Sequence, residues 1–235
     1  MNTNTYMKFV ILPFVVLLIM LFAVGCVSES SPEEMPEPTI DVVSEATEQR
    51  YKELEIRDYE GARLDPSVGP RDNSISGIQQ VDINNYNLKI SGLVENPIAL
   101  SYEEVLEKES FQRLITLYCV EGWDATILWE GVRIMDLLND AAVLDTAEIA
   151  IFHCVDGYTT SMPIETIESR NMLLAYSSNG ITLPDSLGFP FIVIAEDKLG
   201  YKWARWVNEI ELSDDLDYEG FWESRGYSND AETSQ

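Results

Sequence analysis

The sequence predicts a single β-dominated α+β domain. Three observations carry this prediction. The apolar stretches are short and bounded by turn residues, the helical signals between them last only a turn or two, and no internal repeat is present. A chain of 235 residues accommodates one domain of ordinary size with flanks.

Residues 1–25 read as a secretory signal. Lys8 is the only charge before an almost wholly apolar run from Phe9 to Gly25, and Ala23-Val24-Gly25 precede Cys26. The end of this run resembles a bacterial lipobox, in which the cysteine is lipidated and begins the mature chain; Ala23 stands where that motif usually has Leu. The alternative is an uncleaved membrane anchor, since the run is near the lower length limit for spanning a bilayer. Both readings export the body and tether it at the outer face of the cytoplasmic membrane, through a lipid on Cys26 or through a helix, with the lone cation on the inner side. Residues 26–53 are rich in Glu, Pro, Ser and Thr and poor in apolar side chains, and read as a flexible acidic tether.

The folded domain is expected over 54–213. Leu54 to Gly61 has strand-like alternation, and Pro66 to Gly77 reads as loop. Tyr86 to Val94 alternates as a half-buried strand and Glu95-Asn96-Pro97 is a turn. Ser101-Tyr102-Glu103-Glu104 is a capping box that opens a short helix. Phe111 to Val120 is a strand, Ile134 to Asn139 a helix with Ile134, Leu137 and Leu138 on its apolar face, and Glu148 to Cys154 an apolar strand. After the turn Asp156-Gly157-Tyr158 the chain stays extended to Pro163, forms a helical turn or two from Ile164, and returns as a strand over Met172 to Tyr176. Asn179-Gly180 is a turn; Phe189 to Ala195 and Tyr201 to Leu212 are the last two core strands. Residues 214–235 are an acidic tail, expected to fray.

With 41 acidic and 15 basic side chains the formal net charge is −26, which repels phosphate backbones and argues against nucleic-acid binding. Such a surface serves solubility in a salty or cell-surface setting, or docks a cationic partner. The single histidine, His153, leaves little support for a histidine-based zinc site or a Ser-His-Asp triad. No glycine-rich nucleotide loop is present.

Three cysteines remain to be assigned, Cys26, Cys119 and Cys154. Cys119 ends the apolar run Leu114 to Leu117 and meets Gly122 and Trp123 three and four residues on. A thiol held on rigid backbone beside a glycine turn suits a metal ligand or a nucleophile. A free cysteine packed as a small hydrophobe is the alternative. A third outcome is a Cys119–Cys154 disulfide, which an oxidising compartment favours. A dithiol redox role lacks the Cys-x-x-Cys arrangement.

Cys119-Val120-Glu121-Gly122-Trp123, then Trp129-Glu130-Gly131-Val132, then Gly200-Tyr201-Lys202-Trp203-Ala204-Arg205-Trp206 and Glu209 to Leu212 form an ordered set. The set resembles the sulfite oxidase family of molybdopterin-binding oxidoreductases, and in particular the single-domain branch that includes methionine sulfoxide reductase catalytic subunits. The resemblance runs from about Tyr86 to Leu212. It implies a layered α+β sulfite-oxidase-type fold with the cofactor in a central cleft, molybdenum (or tungsten) ligated by Cys119, and pterin or phosphate contacts from Lys202, Trp203, Ala204 and Arg205. Cys154 falls at a family position often occupied by Thr or Ser. The implied reaction is oxygen-atom transfer on a small oxo-acid or sulfoxide, with electrons exchanged through a separate partner, since no haem or flavin motif is present.

The sequence also departs from the family pattern. Ile192 follows Gly188-Phe189-Pro190-Phe191 where an Arg usually helps clamp the cofactor, and no twin-arginine signal is present. These departures leave open a cofactor-free surface module of the same fold.

Overall fold

The structure is a computed structural model that describes residues 41–42, 45–69 and 71–233. The signal, Cys26 and most of the tether lie outside them. All described residues fall in one compact unit, Pro36–Gln235.

The described chain opens with β1 (Asp41–Val42), helix α1 (Glu45–Leu54), the small hairpin of β2 (Asp58–Tyr59) and β3 (Ala62–Arg63), and β4 (Arg71–Asp72), which pairs antiparallel with β1. Helix α1 thus occupies part of the stretch expected as tether, and a hairpin replaces the strand expected from Leu54 to Gly61. Glu, Ala, Gln, Lys and Leu dominate α1, all good helix formers, so low apolar content does not preclude a helix.

The body follows: β5 (Leu88–Gly92), β6 (Ile98–Leu100), α2 (Tyr102–Leu106), β7 (Phe111–Tyr118), β8 (Asp124–Arg133), α3 (Ile134–Asp140), β9 (Ile149–Cys154), β10 (Thr159–Pro163), α4 (Ile164–Ser169), β11 (Leu173–Ser178), β12 (Ile181–Thr182), β13 (Ile192–Ile194) and β14 (Val207–Ser213). The capping box at α2 forms as read: Ser101 Oγ accepts the Glu104 N–H, and the Glu104 carboxylate accepts the Ser101 N–H.

Two five-stranded sheets make the body. One has the order β10-β9-β14-β5-β6, antiparallel except for the parallel pair β14–β5. The other runs β12-β11-β8-β7, all antiparallel, with β13 also paired on β11. One hydrophobic cluster joins them, built from Ile90, Phe152 and Ile210 of the first sheet and Ile115, Val132, Leu174 and Val193 of the second. This is the β-dominated α+β fold the sequence predicts.

Two differences from the sequence reading concern the site. Strand β8 is not anticipated by that reading; its antiparallel register with β7, from Phe111↔Gly131 to Tyr118↔Asp124, makes a long hairpin whose tip carries Cys119. The stretch Tyr201 to Trp206, expected as strand, is instead a 3-10 turn at Gly200–Lys202 followed by irregular chain, and β14 begins only at Val207. Trp206 has φ +54, a conformation rare for a bulky residue, and it swings the chain into β14. This explains why Tyr201, Trp203 and Trp206 fit no clean alternation.

The tail expected to fray packs on the body. Glu223 and Ala231 are buried, Phe221 N–H donates to Thr159 O (2.9 Å), and Glu232 bridges to Lys198. Its acids find buried cations, which composition alone does not reveal.

Candidate active site

The β7–β8 tip is a tight turn. Cys119 N–H donates to Trp123 O (2.9 Å), and Gly122 N–H donates back to Cys119 O (3.0 Å). Gly122 sits at φ +85, the left-handed glycine position that closes such hairpins. The turn is what the spacing Cys-x-x-Gly encodes. It fixes Cys119 at the wall of a cleft of about 860 Å³. Cys119 is half-buried and a free thiol. Burial pushes its pKa up, as does the Glu121 carboxylate, against the opposing backbone N–H groups of Glu121 and Val120. The protein alone therefore holds Cys119 protonated near neutral pH; a bound metal would displace that proton.

Arg205 reaches the same cleft. Its Nη1 donates to Ser186 O (3.0 Å), and its guanidinium stacks over the Trp206 ring at 4.5 Å. Trp206 Nε1 donates to Asp185 O (2.8 Å) and its backbone N–H to Gly188 O (3.2 Å), so the loop after Pro184 and the segment after Gly200 brace each other. Gly188 makes this possible: its φ is +110, and a Cβ there would lie 2.8 Å from Arg205 Cβ. Trp203 lines the cleft, packs on Trp129 (ring centroids 5.8 Å apart) and donates from Nε1 to Lys198 O (3.1 Å). Ile192 also lines the cleft and presents hydrocarbon where the resemblance implies Arg.

Two of the expected site residues are placed elsewhere. Lys202, expected to meet a phosphate, is fully buried away from the cleft lining: its Nζ donates to Ser161 O (2.9 Å), Glu223 Oε1 (2.5 Å) and Asn229 Oδ1 (2.8 Å). All three ammonium protons are thereby committed. Burial pulls its pKa down while Glu223 opposes the shift. Cys154 is a buried free thiol, not part of the cleft lining, whose pKa burial drives well up. A low-pKa thiol pair has no support in these environments. Ala204 is fully buried beside the cleft; its carbonyl accepts from Val193 N–H (2.8 Å), and Ile192 bridges to Arg205. His153 pairs with Glu211 (2.8 Å) and is not among the cleft-lining residues.

The structure adds contributors that sequence reasoning misses. Glu48 and Lys52 of α1, residues 65–69 and 73–75, and Trp222 and Tyr227 all line the cleft. No motif marks them, since they come from opposite ends of the domain. Two buried polar atoms of lining residues, Trp129 Nε1 and Ser186 Oγ, have no hydrogen-bond partner among the described residues. Buried polar atoms are almost always paired, so these two fit contacts to a bound molecule. A lone soft thiol, one guanidinium and unpaired polar atoms around a large cleft form a donor set that suits a metal carried by an organic cofactor. Among the described residues no three His, Cys, Asp or Glu side chains gather to hold a metal unaided.

Comparison with known proteins agrees. The profile of the oxidoreductase molybdopterin-binding domain family matches residues 75–222. The chain belongs to this family, the sulfite oxidase class of molybdopterin-binding oxidoreductases. It is 33% identical over 147 residues to the "Uncharacterized oxidoreductase YuiH" of Bacillus subtilis, covering 62% of this chain and 74% of that one. It is 30% identical over 151 residues to the "Putative protein-methionine-sulfoxide reductase subunit YedZ1" of Azospira oryzae, covering 64% of this chain and 57% of that one. Against the "Protein-methionine-sulfoxide reductase catalytic subunit MsrP" of Gluconobacter oxydans it is 27% identical over 147 residues, 55% of this chain and 47% of that one. The chain thus spans only about half the length of the two reductase proteins. The sulfane dehydrogenase SoxCD of Paracoccus pantotrophus has the same fold, with a TM-score of 0.63 at 20% identity over 83% of this chain and 50% of that one.

Proposed function

We propose that this protein is an extracytoplasmic molybdopterin-dependent oxidoreductase, tethered at the membrane surface through Cys26, that transfers an oxygen atom to or from a small oxo-acid or sulfoxide. The observation that carries the reading is Cys119, a thiol fixed by a hairpin turn at the wall of a large cleft lined by Arg205 and two unpaired polar atoms. When bound, the cofactor supplies the two-electron oxygen exchange, and its metal is molybdenum or, in its place, tungsten. Cys119 is the metal ligand. Arg205 answers the terminal phosphate, and Ser186 Oγ and Trp129 Nε1 are available to the pterin. Electrons come from or go to a separate partner; relatives whose names include "subunit" support this arrangement.

Ile192 favours the second reading, a cofactor-free module of the same fold, because hydrocarbon replaces a clamping guanidinium. Metal analysis of protein purified from its native membrane separates the two. We expect molybdenum or tungsten near one atom per chain, lost in Cys119→Ser; folded, abundant, metal-free native protein would establish the module instead.

A further inference from the structure

The chain beyond β14 returns to the cleft as a built element. Gly220 lies so close to β10 that a Cβ there would meet Thr159 O at 2.3 Å, and Phe221 N–H donates to that carbonyl (2.9 Å). Residues 222–227 then close a compact turn. Gly226 N–H donates to Glu223 O (2.9 Å) and Tyr227 N–H to Trp222 O (3.2 Å), with Gly226 at φ +90. Glu223 pins the turn, its buried carboxylate accepting from Lys202 Nζ (2.5 Å) and from the Thr160 hydroxyl (2.7 Å). Further on, Leu199 N–H donates to Ala231 O (2.8 Å).

This turn sets Trp222 and Tyr227 side by side, ring centroids 5.1 Å apart, and Tyr227 packs edge-on against Tyr201 (5.3 Å). Tyr201 is held by the same segment, its hydroxyl donating to Ser228 O (2.7 Å). All three residues line the cleft. They also stand next to the reacting thiol. Gly200, one residue before Tyr201, packs on the hairpin tip, where a Cβ would lie 4.0 Å from Cys119 Cα, and Leu199 bridges to Tyr118.

Exposure separates these rings from the other aromatic residues of the cleft. Tyr227 is 41% exposed, whereas Trp129, Trp203 and Trp206 are buried. The tail rings therefore face what arrives from solvent. Aromatic surface in a concave site is stabilised when a flat apolar group covers it, and ring pairs contribute beyond the area they bury. Because hydrogen bonds already fix the turn, binding has little left to order.

We propose that Tyr201, Trp222 and Tyr227 form an aromatic subsite beside Cys119 that takes a flat aromatic group of the substrate, so that the C-terminal segment sets a preference for aryl over small aliphatic molecules. The assignment to substrate rests on the oxidoreductase reading above; the preference for a flat ring belongs to the chain itself.

Full-length protein is titrated by calorimetry, both metal-free and as purified from its native membrane, with two neutral probes, quinoline N-oxide and trimethylamine N-oxide. We expect quinoline N-oxide to bind at least roughly 10-fold tighter, and Trp222→Ala and Tyr227→Ala each to weaken it roughly 3- to 10-fold while Tyr227→Phe retains it. Tyr227 is the more exposed of the two rings, so its truncation decides the matter if the Trp222 variant does not fold. In metal-free protein, saturating quinoline N-oxide should slow alkylation of Cys119, with the protection lost in Tyr227→Ala. Metal per chain should be unchanged in Tyr227→Ala.

Equal affinities for the two probes, or an unprotected Cys119, would overturn the proposal. Metal lost along with the Tyr227 ring would overturn it too, since the rings would then hold the cofactor. Native protein without molybdenum or tungsten would sink the oxidoreductase reading instead, and the titration and protection in metal-free protein would still decide the subsite.

Discussion

At the scale of single residues, Cys119 and Cys154 show how environment separates identical side chains. Both thiols are pushed up by burial, but Cys119 lines the cleft and Cys154 does not. Their alkylation in metal-free protein should therefore differ. A thiol with a raised pKa is mostly protonated near neutral pH, and only the thiolate reacts. Modification of Cys119 by iodoacetamide should accelerate up to a pH above that of an ordinary cysteine, while Cys154 stays unmodified until the protein unfolds. Quench-flow labelling with peptide mapping checks both, and rapid labelling of Cys154 in folded protein would contradict its burial. Cys119 is legible in the sequence because the spacing to Gly122 encodes a turn. Arg205 is legible through its surrounding tryptophans. Lys202 is not: the sequence displays a cation within the right motif, but its partners lie in residues 161, 223 and 229, and only the fold brings them within hydrogen-bond reach. Truncating Lys202 to Met leaves Glu223 buried without its counter-charge, and should cost about 3–5 kcal/mol of stability by chemical denaturation. Pairing it with Glu223→Leu should recover a large part of that loss, because the unpaired charge goes too.

At the scale of elements, the site depends on two turns. The β7–β8 tip holds Cys119, and the Gly188 approach holds Arg205. Gly122→Ala meets no neighbour within 4 Å but is forced to φ +85, so the expected penalty is about 1 kcal/mol, felt at the tip. Gly188→Ala combines φ +110 with a 2.8 Å collision against Arg205 Cβ. It should lower the melting temperature further and reduce the metal retained per chain, two quantities read by calorimetry and metal analysis on one preparation. The sheet strands themselves are largely readable, since alternation and turn residues report half-buried strands directly. The segment after Gly200 reads falsely as strand because its aromatic residues carry the composition of one. What decides its path is the left-handed Trp206, held by Asp185 and Gly188, a contact between stretches some twenty residues apart.

At the scale of the whole molecule, the cleft is finished by chain that lies outside its most recognisable segments. The family match covers residues 75–222, yet α1, residues 65–69, Asn73, Ser74 and Tyr227 also form the cleft walls. The N-terminal wall is fastened by Glu55, whose buried carboxylate accepts the Ser67 N–H (3.0 Å) and the Ser67 hydroxyl, and by Asn179, which donates to Asp65 O (2.8 Å). Glu55→Ala leaves those serine donors unpaired, at about 1–3 kcal/mol. Amide exchange over residues 64–69 should quicken well before the body's strands respond, as hydrogen-exchange mass spectrometry would show. None of this wall is visible in the sequence, where its polar composition reads as tether and loop. The wall also sets a schedule for the ribosome. Residues 48 and 52 leave early, Cys119 much later, and Trp222 and Tyr227 later still, so no growing chain possesses the complete cleft until translation has passed Tyr227. Whatever fills the cleft must arrive after that point, and a chain threaded through a membrane while still being made would have to be filled on the far side.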